Sequence, residues 1–165
     1  MSLDELKKCL SEINTENLNN LKVLISSNKK IIILGNGGSN AISSHIAQDY
    51  TKALGKFALS FSDSSRLTCY INDYGMENAY VKFIEHFGDT ETIVILISSS
   101  GNSLNIINAA KYCIGNNIKI ITLSGFKKNN IINSLSNKSL LSFWVDSEDY
   151  GIVELTHEAI LHSVI

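Results

Sequence analysis

Two apolar runs, each breaking into a Gly- and Ser-rich loop and then into a helical pattern, constrain this 165-residue chain more than any other feature. The first is Ile31, Ile32, Ile33 and Leu34, which stops at Gly35-Asn36-Gly37-Gly38-Ser39. An uninterrupted run of this kind suits a parallel strand buried on both faces. Three glycines in four positions permit positive φ and close backbone approach to a ligand, and Asn36 and Ser39 add side-chain donors. The helix that follows brings free N–H groups and the positive end of its dipole to the same place, which outlines a phosphate cradle. It is a poor dinucleotide fingerprint, because the third position of G-x-G-x-x-G falls on Asn40, and no Gly-Lys-Ser/Thr makes it a Walker loop. On that helix His45 and Asp49 stand one turn apart on one face, the spacing of a metal or acid/base pair.

The second half repeats this architecture. Thr92 to Ile97 is another buried strand, and it runs into Ser98-Ser99-Ser100-Gly101-Asn102-Ser103, four hydroxyls within six residues and no Lys or Arg among them. Neutral hydroxyls with main-chain N–H groups bind a phosphate monoester while leaving it exchangeable. Ser103 also reads as a simple N-cap for the helix marked by Leu104, Ile107, Ala110 and Ile114. G-x-S-x-G is absent, which argues against a serine nucleophile. Phe57–Phe61, Ile118–Leu123 and Leu140–Val145 read as further strands, and Met76–Phe87 and Tyr150 to the end as helices. A Ser-x-x-Glu capping box at Ser2 and Glu5 opens a helix expected to run to about Ile25 and to pack on another subunit. Ser62–Gly75 offers Arg66, Asn72 and Asp73 as its polar features. Strands alternating with helices imply a parallel sheet covered on both faces, with ligands gathering at the carboxyl ends of the strands where both loops lie.

Length and composition narrow the class. The chain is one domain long, with 44% apolar and 18% charged residues. A net charge of −2 gives no basic footprint, which argues against a nucleic-acid partner. Three scattered cysteines, Cys9, Cys69 and Cys113, fit a reducing cytoplasm and form neither a disulfide framework nor a zinc finger. No signal-peptide pattern and no apolar run long enough to span a membrane is present. Proline is absent, so turns rest on Gly, Asn, Asp and Ser.

The stretches GNGGSNAISSHIAQD, ISSSGNSLNIINAAKYC and KIITLSG closely resemble the sugar isomerase (SIS) domain family and, within it, the phosphoheptose isomerases. The resemblance runs from about Lys30 to Ile165. It implies a single SIS domain, a flavodoxin-like three-layer α/β/α sandwich around a five-stranded parallel sheet, and a cytoplasmic homotetramer with active sites where subunits meet. Its implied reaction interconverts sedoheptulose 7-phosphate and a mannoheptose 7-phosphate, for lipopolysaccharide or capsule. Asn36, Gly37, Gly38 and Ser39 would hold substrate, Ser98, Ser99, Ser100 and Ser103 its phosphate, and Asn72, Asp73 and Glu154 would also touch it. A zinc ion would sit among His45, Asp49, Glu154 and His162, with Asp49 and His162 as the acid/base pair. Two of these depart from the family pattern: Asp49 stands where Glu is usual, and Glu154 where Gln is. Eight residues of helix span about 12 Å, so Glu154 and His162 share one ion only by reaching towards each other or from different subunits. His157 and Glu158, nearby, are alternative participants. The family's N-terminal segment is longer and its last helix continues, which implies a truncated chain or one with fewer subunit contacts. Two other readings stay open: an isomerase of another phosphosugar, and a non-catalytic binding module like the replication-initiator-associating relative.

Overall fold

The computed structural model describes residues 1–165. β1 (Lys30–Leu34) pairs in parallel with β2 (Phe57–Ser60) on one side and with β3 (Thr92–Ser98), the middle strand of the sheet, on the other. β4 (Lys119–Ser124) and β5 (Leu141–Trp144) complete a five-stranded, all-parallel sheet in the order β2-β1-β3-β4-β5. Both faces are covered, as the apolar runs require. Ile31, Ile33, Ile93 and Ile95 point into one core, while Ile32, Leu34, Val94 and Leu96 point into the other. Each such fully buried aliphatic side chain contributes about 1.5–3 kcal/mol.

The first core is closed by α2 (Thr15–Ser27), α3 (Gly38–Leu54) and α8 (Tyr150–His162), through Leu21 and Ile25, Ile42 and Ile46, and Ile160 and Leu161. The second is closed by α5 (Ala79–Phe87) and α6 (Leu104–Gly115), with Phe83, Ile84, Ile106 and Ala110 buried. α1 (Leu3–Ser11) lies on α8, where Cys9 meets Val145, Ile152 and Val153.

Five local departures from expectation follow, the first three with a hydrogen-bonding cause. The single helix expected to Ile25 divides into α1 and α2, because Asn14 Oδ1 accepts the Asn17 N–H at 3.0 Å and caps a new start. The capping box forms by half: Ser2 Oγ accepts the Glu5 N–H at 3.5 Å, while the Glu5 carboxylate accepts from the Ser147 hydroxyl at 2.7 Å. The stretch after Phe61 contains α4 (Ser64–Tyr74), capped by Asp63 Oδ1 on the Arg66 N–H at 2.8 Å, and none of its residues is buried. α5 begins at Ala79 rather than Met76, and a short α7 (Ile131–Ser134) precedes the last strand.

Strand order 2-1-3-4-5 reverses direction between β1 and β3, and open α/β sheets bind ligands in the crevice at that switch point. The Gly-rich loop leaves β1 and the serine loop leaves β3, so both line that crevice.

Candidate active site

The β1–α3 loop is shaped by its glycines. Gly37 sits at the N-cap of α3 with φ +53°, and a side chain on Gly38 would run into the Glu154 carboxylate. Asn36 is locked in place. Its amide exchanges two hydrogen bonds with that of Asn105, at 2.8 and 2.9 Å, and Tyr80 donates its phenol to Gly35 O at 2.6 Å and Asn36 Oδ1 at 2.9 Å. Burial pushes the Tyr80 phenol up to about 12, so it stays a donor.

The β3–α6 loop supplies hydroxyls. Ser98 donates to Ser103 Oγ at 3.2 Å, and Ser103 occupies the N-cap of α6 without making a capping bond. Ser99 Oγ is buried with no hydrogen-bond partner in the chain. Gly101, at φ +65°, is pressed against the buried Asn130, whose amide donates to Gly125 O and Lys127 O. The two loops enclose a cavity of about 340 Å³ lined by Asn36, Gly37, Gly38, Ser39, Ser98, Ser99, Ser100 and Ser103, with Ile97, Tyr150 and Glu154 completing it. No Lys or Arg lines it, and Glu154 is its one carboxylate. Burial raises the Glu154 carboxyl above its usual range.

Further along the same two helices lies a second group. α3 and α8 are held together by their shared core and by the Tyr50 hydroxyl, which donates to Leu161 O at 2.9 Å. This brings His45, Asp49 and His162 together, with one ligand atom from each lying within 4.8 Å of the others. Asp49 Oδ2 is 3.4 Å from His45 Nε2 and 3.9 Å from His162 Nδ1, and the two imidazole centroids are 5.1 Å apart. Two imidazoles and a carboxylate, partly open to solvent, are a donor set that suits a divalent ion with free coordination positions.

The remaining expected residues are distributed differently. Glu154 stands outside the His-Asp-His group and in the serine-lined cavity, two helical turns towards the start of α8. Glu158 lies between, its Oε1 3.8 Å from His162 Nε2. Asn72 donates to Asp73 Oδ1 at 2.9 Å on exposed α4, and neither residue lines the cavity of this chain. His157 is fully buried against Ser124 O, 3.1 Å from its Nε2, and contributes to neither group. Tyr80, Asn105 and Tyr150 were not singled out in the sequence. Tyr150 carried a positional signal, since it opens the last helix at the carboxyl end of the sheet.

The sequence matches the SIS domain family over residues 3–125. A phosphoheptose isomerase of Buchnera aphidicola is 35% identical over 160 residues, spanning 91% of this chain and 81% of that protein. One from Helicobacter pylori is 30% identical over 168 residues, spanning 98% and 85%. The solved structure of phosphoheptose isomerase GmhA from Neisseria gonorrhoeae superposes with a TM-score of 0.86 at 27% identity, covering 96% of this chain and 88% of that one. With its serine-lined switch-point cavity and these relatives, the chain belongs to the SIS domain family and, within it, to the phosphoheptose isomerases.

Proposed function

We propose that this chain interconverts sedoheptulose 7-phosphate and D-glycero-D-manno-heptose 7-phosphate, with the phosphate among Ser98, Ser99, Ser100 and Ser103 and the carbonyl end towards His45, Asp49 and His162. The observation that carries this reading is the cationless, hydroxyl-lined cavity at the β1/β3 switch point, with a His-Asp-His group farther along the helices that wall it. Glu154 and His162 mark the two ends, about 12 Å apart along α8, which favours an extended phosphosugar over a compact one.

An aldose–ketose isomerisation takes a proton from the carbon beside a carbonyl and returns it to the neighbouring carbon while a hydroxyl proton crosses between the oxygens. Asp49 is the base for the carbon-bound proton, and His162 gives and takes the proton on oxygen. A zinc ion held by His45, Asp49 and His162 would supply positive charge beside the enediolate oxygens. Asn36, Gly37, Gly38 and Ser39 orient the sugar, and Glu154 accepts from its hydroxyls. A carboxylate inside a phosphate cradle also favours a second reading, in which the same chemistry acts on another phosphosugar.

The same reading has the chain working as a cytoplasmic homotetramer that supplies heptose for lipopolysaccharide or capsule. Unburied α4, and the absence of Asn72 and Asp73 from the cavity lining of their own chain, support a neighbouring subunit that brings them to substrate. The test is isomerisation of sedoheptulose 7-phosphate by purified protein, with metal analysis of the same sample. Turnover is expected, and His162→Ala should lower kcat by about 10²–10⁴-fold with the circular dichroism spectrum unchanged. Undiminished turnover in that variant would remove His162 from the reaction, and a wild type inactive on this substrate but active on another phosphosugar would favour the second reading.

A further inference from the structure

The cavity holds one exposed side chain to which neither phosphate binding nor proton transfer gives a role. Tyr150, the first residue of α8, lines it while keeping 60% of its surface exposed. Every other lining residue is polar or glycine except Ile97, which is fully buried. The Tyr150 ring is therefore the one exposed apolar surface in an otherwise hydrophilic pocket.

That ring is braced from behind. Phe126 meets it edge to face, with centroids 4.8 Å apart and planes at 69°. Phe126 has φ +56°, a conformation that bulky residues avoid and that persists only where the surroundings impose it. Here they do so twice over. The Phe126 N–H donates to Ser147 O at 2.9 Å and the Gly125 N–H to Ser99 O at 3.0 Å. The Phe126 side chain packs on the small core of Cys9, Val145, Ile152 and Val153. The buttress thus ties the position of Tyr150 to the backbone of the serine loop, so the ring and the hydroxyls keep a fixed relation.

We propose that Tyr150 recognises the sugar portion of the substrate, its ring packing on the C–H surface of the carbons next to the phosphate ester. This rests on the phosphosugar reading above. Serine hydroxyls and backbone N–H groups grip a phosphate group whether or not it carries a sugar. An aromatic ring beside them makes the distinction, because only an esterified phosphate brings a carbon chain to cover it. The phenolic oxygen is secondary in this arrangement, since the contact is made by the ring.

Isothermal titration calorimetry with sedoheptulose 7-phosphate and, separately, inorganic phosphate tests this on wild type, Tyr150→Ala and Tyr150→Phe. Tyr150→Ala should bind the sugar phosphate about tenfold more weakly with its affinity for inorganic phosphate unchanged, and Tyr150→Phe should stay within about twofold of wild type for both. A ratio of the two affinities in Tyr150→Ala equal to that of wild type overturns the proposal, whether both constants move together or neither moves. Turnover measured in parallel separates the two readings. A wild type that binds the sugar phosphate without isomerising it refutes the isomerase and leaves Tyr150 standing, whereas one that binds it no more tightly than inorganic phosphate refutes the role of Tyr150.

Discussion

Burial decides the protonation state of His157. Desolvation holds its imidazole down to about 4, opposed only in part by the contact with Ser124 O. The unfolded chain takes up this proton near pH 6.5 and the folded chain only near 4, so the unfolded state binds more protons between those values. Stability from this residue is therefore complete above about pH 6.5 and is lost as the pH falls through that window, by roughly 3 kcal/mol in all. Urea denaturation at pH 7, 5.5 and 4.5 should show the decline, and His157→Gln should flatten it. An unchanged slope in that variant would mean that other groups drive the acid sensitivity. The same residue shows what a sequence discloses one side chain at a time. His157 and His162 look alike on paper, five positions apart on one helix, and only the packing of α8 on β4 sends one into the core and leaves the other beside Asp49.

At the scale of elements, the turns depend on space as much as on backbone angles. Gly55 and Gly101 have nearly the same φ, +64° and +65°, yet a Cβ at Gly55 meets open space while one at Gly101 would collide with Asn130. Gly55→Ala should therefore cost only the left-handed penalty, about 1–2 kcal/mol. Gly101→Ala should cost more, about 3 kcal/mol or beyond, and should weaken phosphate binding by displacing the serine loop. Denaturation midpoints of the two variants check the difference, and equal losses would contradict it. The inner strands β1 and β3 were legible because they are buried on both faces and carry unbroken apolar runs, whereas the edge strands β2 and β5 are shorter and only partly buried. α4 was not, since it buries no residue completely and its amphipathic signal is short. The break between α1 and α2 hung on a single capping side chain, Asn14, inside an otherwise continuous helical pattern. Glu154 was expected both at the substrate and at the metal, and it lines the serine cavity and stands apart from the His-Asp-His group: spacing along one helix fixes the height of a side chain and says little about which neighbour on α3 it will face.

For the molecule as a whole, the sheet order places two helix starts at one crevice and sets α3 and α8 side by side, so one pair of helices serves both the serine-lined cavity and the His-Asp-His group. No helix is long and apolar enough to cross a membrane. A divalent ion bound to the folded state alone raises its stability by mass action, about 2.7 kcal/mol at a hundredfold excess over Kd, which for a chain of this size means a Tm rise on the order of 5–10 °C. Thermal melts with zinc and with chelator should show that difference in wild type and lose it in His45→Ala. An equal rise in both would put the ion somewhere else.

The reciprocal amide pair between Asn36 and Asn105, reinforced by Tyr80, clasps the loop after β1 to the first turn of α6. The conformational entropy of both walls is therefore surrendered once, during folding, and is not demanded again at each encounter with a ligand. A receptor preorganised in this way closes on its guest without first having to build itself, which leaves the free energy of association to the groups that touch the guest.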